Sequence, residues 1–316
     1  MKKIILALMC CLCTNAYAKR LQDDAVLKWV GVEVVTKDFS SVGKIRELTK
    51  ITPGMTAAIT NPALPQACRN IREAYPLEAV NCQAISMEGG TALYAVEISS
   101  KNISVNQNTF RCNKNSFLPK RLKNLEAHSF QIFDNYLKKP NSIAANDIIN
   151  NRNALDSTEP ELSTQLNKIS IELQDQIDAL RKGVSSCKSE DRAAAIQLFN
   201  YSGKPTLATE IATNMMLDPD SHVRNNATRL LSVFAKFIPS HKHAQLMINS
   251  CKLIDHPSFT DRNKGLALIA QLSKENNWNK TIFPQACLNT IREIQRMSIS
   301  EQLGGYANSI LKQIEP

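Results

Sequence analysis

Apolar residues in the second half of the chain recur in steps of three and four. Leu162, Leu166, Ile169, Leu173, Ile177, Leu180 and Val184 form one such stripe, which predicts a long amphipathic helix over 161–184. The first hundred residues read differently. WVGVEVV (29–35) is β-branched and alternating enough for a strand. Val42, Ile45 and Leu48 then mark a helix over 40–51, stopped by Thr52-Pro53-Gly54. A second helix over 63–75 is bounded by Pro62, Pro65 and Pro76. Strands over 77–87 and 91–99 flank Gly89-Gly90, a two-residue hairpin turn. The predicted order is β-α-α-β-β, with both helices on one face of a three-stranded sheet.

The middle is less regular. Residues 101–117 are polar and unpatterned. A helix is expected over 118–139, with Leu122, Leu125, Ile132, Phe133, Tyr136 and Leu137 on its apolar side. Residues 141–160 are rich in Asn, Asp and Ser and read as loop.

Beyond residue 188 one helix pattern returns. Arg192 precedes Ala195, Leu198 and Phe199; Arg224 precedes Ala227, Leu230 and Leu231; Arg262 precedes Gly265, Leu268 and Ile269. The shared offsets place an arginine, a small residue and two large apolar residues on one face. Gly304, Ala307, Ile310 and Leu311 repeat the apolar part without the arginine, as a terminal unit would. Partner helices fall at about 205–216, 242–253 and 281–296. Stacked pairs of this kind bury a face that no pair buries alone.

The aspartates around the arginines suggest a structural role. Asp218 and Asp220 stand before the Arg224 helix and Asp261 directly before Arg262. Negative charge favours a helix N-terminus, and a guanidinium in the first turns can bond such a carboxylate or the turn of a neighbouring repeat. The alternative is that Arg224 and Arg262 contact a ligand.

The extreme N-terminus changes the expected compartment. Lys2-Lys3, the short apolar run Ile4–Cys13 and Ala16-Tyr17-Ala18 read as a secretory signal cleaved after Ala18, so the mature chain is expected in the periplasm or secreted. Six cysteines then remain, and an oxidising compartment favours their pairing. Cys68 and Cys82 lie at comparable distances either side of Pro76, in a helix–strand reversal that brings two Cβ atoms together. Cys251 and Cys287 fall in successive partner helices. Cys112–Cys187 follows by elimination. The alternative for several of them is a buried thiol.

The chain carries a net charge of +9. Residues 106–158 hold eight Lys/Arg against four Asp/Glu. Lys120, Arg121 and Lys123 are a candidate contact for an anionic membrane surface or cell-wall polymer, with a solvated helix face as the alternative. The excess is too thin for a nucleic-acid site, which needs a basic stripe with stacking aromatics. No GxSxG, HExxH, GxGxxG or GxxxxGK[ST] occurs. His241-Lys-His243, expected in a loop after Pro239, lacks a carboxylate or cysteine at metal-ligand spacing. No catalytic residue, metal or cofactor is predicted.

Two resemblances sharpen this. The β-α-α-β-β order, with ITPGM after the first helix and GGTALYAVEI at the end, resembles a POTRA-like domain, a bacterial envelope module that binds polypeptides by adding a strand to its sheet edge. DPDSHVRNNATRLL and DHPSFTDRNKGLALIAQL resemble HEAT repeats. The expected fold is thus an α+β N-terminal domain followed by an all-α helical-repeat solenoid. The expected map is a signal peptide at 1–18, a POTRA-like domain at 28–100, a linker with one amphipathic helix at 101–160 and a HEAT-like solenoid at 161–316. The function implied is a non-enzymatic scaffold for protein partners. An envelope enzyme with an interdomain site, or a wall- or membrane-surface binder, are the alternatives.

Overall fold

The computed structural model describes residues 26–87, 91–100, 111–137, 147–274 and 283–315. The cleavage site and the Gly89-Gly90 turn lie outside them. The chain forms an N-terminal sheet followed by a series of helices. It divides into two compact units, one of residues 106–243, the other combining the sheet with residues 244–316.

Strand β1 (Val26–Val35) leads through helix α1 (Val42–Thr49), strand β2 (Thr56–Ala58) and helix α2 (Ala63–Ala74) to strands β3 (Glu78–Met87) and β4 (Thr91–Ser100). The sheet has four strands, not the predicted three, in the order β2-β1-β4-β3. The extra strand is only three residues long, too short for a visible alternation. β1 runs parallel to β4, while β2 and β3 are antiparallel to their neighbours. One face carries Trp29, Val32, Val34, Ala92, Tyr94 and Val96 beneath Ile45, Leu64 and Ile71 of α1 and α2. Trp29 is fully buried, meets Tyr94 edge-on and donates Nε1–H to the Ala57 carbonyl. Its indole therefore fills the core without leaving a donor unpaired.

In residues 106–243, helix α3 (Lys120–Leu137) precedes a small hairpin, β5 (Asp147–Ile149) and β6 (Leu155–Ser157). Leu122, Leu125, Ile132, Phe133 and Tyr136 are buried as the periodicity predicts. The side chain of Leu137 lies outside the described residues. The hairpin corrects the expected loop: Ala154, Leu155, Asp156 and Ser157 are all buried. Asn150 organises it, accepting at Oδ1 from the Arg152 and Ala154 amides. Asn-rich sequence here signals a tight turn rather than slack chain.

The stripe over 161–184 forms two helices, α4 (Pro160–Leu173) and α5 (Ile177–Val184). Leu162, Leu166, Ile169, Leu173, Leu180 and Val184 of the stripe are buried, while Ile177, at the start of α5, is only partly buried. The periodicity carried no mark of the break, because the intervening Gln174-Asp175-Gln176 contains neither Gly nor Pro. Helices α6 (Ser189–Phe199), α7 (Pro205–Met215) and α8 (Ser221–Val233) follow. The small residue of the pattern does allow close approach: a Cβ on Gly183 of α5 would stand 2.8 Å from the Ala195 Cβ of α6.

Helix α9 (Ser240–Asp255) begins earlier than expected, so His241 and His243 occupy its first turn rather than a loop. His243 is buried, its Nε2 lying 3.2 Å from the Ile238 carbonyl oxygen. Helices α10 (Phe259–Leu272), α11 (Gln285–Met297) and α12 (Glu301–Ile314) complete the chain. They cover the second face of the sheet, where Val35, Ile85, Leu93 and Ala95 pack with Phe259, Leu266, Ile269, Ile291, Ile294 and Leu303. This explains why α10 is buried on nearly every side.

Close packing fixes Gly265 at the centre of α10. A Cβ there would meet the Ser250 carbonyl oxygen at 2.9 Å and Leu253 Cβ at 3.2 Å on α9. Backbone cannot yield as a side-chain tip can. Gly265→Val is expected to cost about 2–3 kcal/mol through overpacking, despite valine's better helix propensity. Urea unfolding of the variant measures this as a lower midpoint.

Candidate functional site

The recurrent arginines face inward. Arg192, Arg224 and Arg262 are all buried. Arg192 donates Nε–H and Nη2–H to the two oxygens of Asp218, at 2.9 and 2.8 Å, and Nη1–H to the Ser186 carbonyl. Arg224 donates Nη1–H to the carbonyls of Asp218 and Pro219. Arg262 donates Nε–H to Ile254 O and Nη2–H to Thr36 O, and lies over the Phe39 ring. Arg192 and Arg224 thus bind the turn before their own helix, while Arg262 binds the last turn of α9 and Thr36, just after β1. Arg192 also reaches Asp218 in the turn before α8, within the same unit.

The aspartates divide the remaining work. Asp220 caps α8, accepting from the His222 and Val223 amides. Asp218 also accepts from the Asp220 amide at 2.8 Å. Asp261 is buried with His256 Nδ1 2.9 Å from its carboxylate. Asp191 plays a comparable part that its sequence position did not announce. It is fully buried and accepts from the Leu118 amide and the Ser186 hydroxyl, with Lys123 as its ion-pair partner. Burial works to raise its pKa, yet Lys123 and these donors prevail and hold the carboxyl below its ordinary value.

That ion pair bears on the basic cluster. Lys123 turns its ammonium to Asp191, and Arg121 pairs with Glu172 at 3.3 Å. Lys120 is exposed. Two of the three charges proposed for an anionic surface therefore have acidic partners within their own unit.

A second set of charges lies in the unit containing the sheet. Glu33 of β1 accepts from the Ile299 and Ser300 amides and the Ser298 hydroxyl, at the start of α12. Glu97 of β4 accepts from the Phe259 amide at 2.7 Å, at the start of α10, and from the side-chain amides of Asn81 and Gln83. Both glutamates place negative charge on a helix N-terminus. Burial raises both pKa values, against these hydrogen bonds. Burial also pushes Arg262 down to about 10, opposed by Glu33, Asp255 and Glu97. Alternation on β4 sets Glu97 opposite Tyr94 and Val96, whereas Glu33 shares the parity of Trp29 and is turned to the other face by the register shift between Trp29 and Gly31. Alternation gave no sign that helices from the other end of the chain would cover that face.

These groups are buried and committed to one another. Among the described residues no group of three or more His, Cys, Asp and Glu is placed to hold a metal ion. No described helix is long and apolar enough to cross a membrane.

The surface that does offer backbone chemistry is the outer edge of β3. With both sheet faces covered, the edges remain, and β2 presents only three residues. β3 pairs with β4 over ten residues, from Glu78↔Ser100 to Met87↔Thr91. No described strand pairs with its other side. Glu78 is its one charged residue, and it has no proline. Edge strands are commonly guarded by charge, proline or shortness, and β3 lacks most of that protection. Arg72 of α2 donates to the Val80 carbonyl at 3.3 Å. Leu77, just before the strand, is 82% exposed.

The cysteines are joined as Cys68–Cys82, Cys112–Cys187 and Cys251–Cys287, with Cα separations of 6.0, 4.7 and 5.5 Å. The first ties β3 to α2, which fixes the open strand at its middle. The three bonds fit an oxidising, extracytoplasmic compartment. No protein-family model, curated protein or solved structure matches the chain, so the reading of its function rests on this geometry.

Proposed function

We propose that the protein is a non-enzymatic scaffold of the bacterial periplasm, released by cleavage after Ala18, that binds a polypeptide partner by strand addition to β3. The observation that carries this is the ten-residue edge itself, with one charge and a disulfide at its middle. Main-chain pairing at such an edge supplies affinity, and alternate side chains supply selectivity. A disulfide-anchored strand loses little conformational freedom when a partner docks. In this reading the sheet is POTRA-like and the arginine-bearing helices are HEAT-like units of a solenoid, whose further surface is available to partners.

Hydrogen exchange tests the assignment. A photo-crosslinker at Asn81, an exposed position of β3, is used to isolate the partner. The two proteins are then recombined without the crosslinker. The outward amides of β3 are expected to exchange quickly in the free chain and to become protected in the complex. Protection elsewhere, with β3 unchanged, would rule out strand addition.

A further inference from the structure

We propose that a cleft in the 106–243 unit binds a small polar ligand through a phosphate or carboxylate group. The cleft has a volume of about 350 Å³ and is lined by Arg152, Ser170, Gln174, Ser202, Gly203 and Lys204. Its two charged residues are both cations, and no acid is among the described residues that line it. Neither Arg152 nor Lys204 has an ion pair among the described residues, in contrast to Arg121 and Lys123 nearby in the same unit. A guanidinium offers two parallel N–H donors to an oxyanion, and an ammonium adds a point charge.

The positions of both cations are set by folded turns. Asn150 Oδ1 accepts from the Arg152 amide, and Asn153 adopts the left-handed conformation that closes the turn. Asn150 Nδ2–H is held by Asp156 and Asn167. Gly203 has φ +67°, and a Cβ on it would stand 2.9 Å from the Arg152 carbonyl oxygen. The two turns therefore touch through backbone, which only glycine permits here. Ser202 accepts from the Lys204 amide and donates to the Phe199 carbonyl. Lys204 stands at the N-cap of α7, which has no side-chain cap, so the helix dipole adds to the positive field.

The inner wall carries the second observation. Ser170 is 96% buried, being 4% exposed, and its hydroxyl has no hydrogen bond among the described residues. Ser170 lines the cleft, which leaves this hydroxyl open to a ligand there. With Gln174 it offers donors and acceptors to the hydroxyls of a ligand whose anionic head lies between Arg152 and Lys204. The matching chemistry is a monosaccharide-sized polyol bearing one oxyanion. The assignment stands independently of β3.

Calorimetric titration of the full chain with a hexose phosphate, a hexuronate, inorganic phosphate and an uncharged hexose tests this. At least one charged sugar is expected to bind with a Kd of about 1 mM or tighter, and the uncharged hexose at least ~10-fold more weakly. Preference between the two charged sugars identifies the head group. Competition by inorganic phosphate shows that the head is what the cations hold. The double variant Arg152→Ala, Lys204→Ala is expected to weaken binding at least ~10-fold with an unchanged melting curve, because both side chains are exposed, and Ser170→Ala by a few-fold. Equal binding of charged and uncharged sugars, no binding up to ~10 mM, or full affinity in the double variant would each overturn the proposal.

Discussion

Asp218→Ala is expected to destabilise the 106–243 unit by about 3–5 kcal/mol, the usual penalty for removing one partner of a buried ion pair. For a unit of this size that lowers the melting temperature by roughly 10 °C. Asp218 takes two hydrogen bonds from Arg192 and one from the Asp220 amide. Its loss takes the carboxylate from a guanidinium buried in the interior and loosens the turn that starts α8. Asp218→Asn is a milder change, since the amide keeps one acceptor but turns a donor toward the guanidinium. The combination Arg192→Met with Asp218→Leu distinguishes pairing from simple packing. An apolar pair of similar volume often recovers most of the stability, so the double variant is expected to be more stable than Asp218→Ala. A thermodynamic cycle built from the matching single variants should show strong coupling. Additive effects would mean that the two residues act separately.

The arginine pattern was legible because helical period and residue size are local properties. Three arginines at one offset from paired apolar residues implied a shared face, and burial of Arg192, Arg224 and Arg262 agrees with that. What each arginine bonds was only partly legible. Asp218 stood close enough in sequence to be named, whereas Thr36, which accepts from Arg262, lies 226 residues away. The same distinction separates Cys68–Cys82, readable from a local reversal, from the placement of Glu33 and Glu97. In sequence those glutamates are single acidic positions within apolar strands, with nothing to name their partners. They are buried because the last helices cover that face of the sheet, and the acids are tolerated because helix N-termini and amides satisfy them. Burial of a charge depends on which surfaces meet, and a single strand's pattern does not encode that. The cleft at Arg152 was missed for a related reason. Its lining comes from three separate segments, and the Asn-rich turn carrying Arg152 reads as loop until Asn150 is seen to bond its own backbone.

Replacing Arg262 with methionine is expected to be equally costly, about 3–5 kcal/mol, and to depend on pH in a way that a cavity would not. Methionine fills much of the volume but donates nothing, so the buried carbonyls of Ile254 and Thr36 lose their donor. It also removes the positive charge that acts on Glu33 and Glu97. Both carboxyls already have raised folded-state pKa values because of burial. Their contribution to stability is therefore full below the unfolded carboxylate pKa and is lost as pH rises through the folded values. Without Arg262 the ionised forms are less favoured still, both pKa values rise further, and the loss on going from acid to neutral pH becomes larger. The deficit of Arg262→Met relative to the natural chain should thus be greater at pH 7 than at about pH 4. Adding Glu97→Gln to Arg262→Met should reduce that pH dependence, because the glutamine has no charge to lose. Urea unfolding of the natural chain and both variants across this range gives the comparison. A deficit constant with pH would assign Arg262 a packing role alone and remove the electrostatic link between the last helices and the sheet.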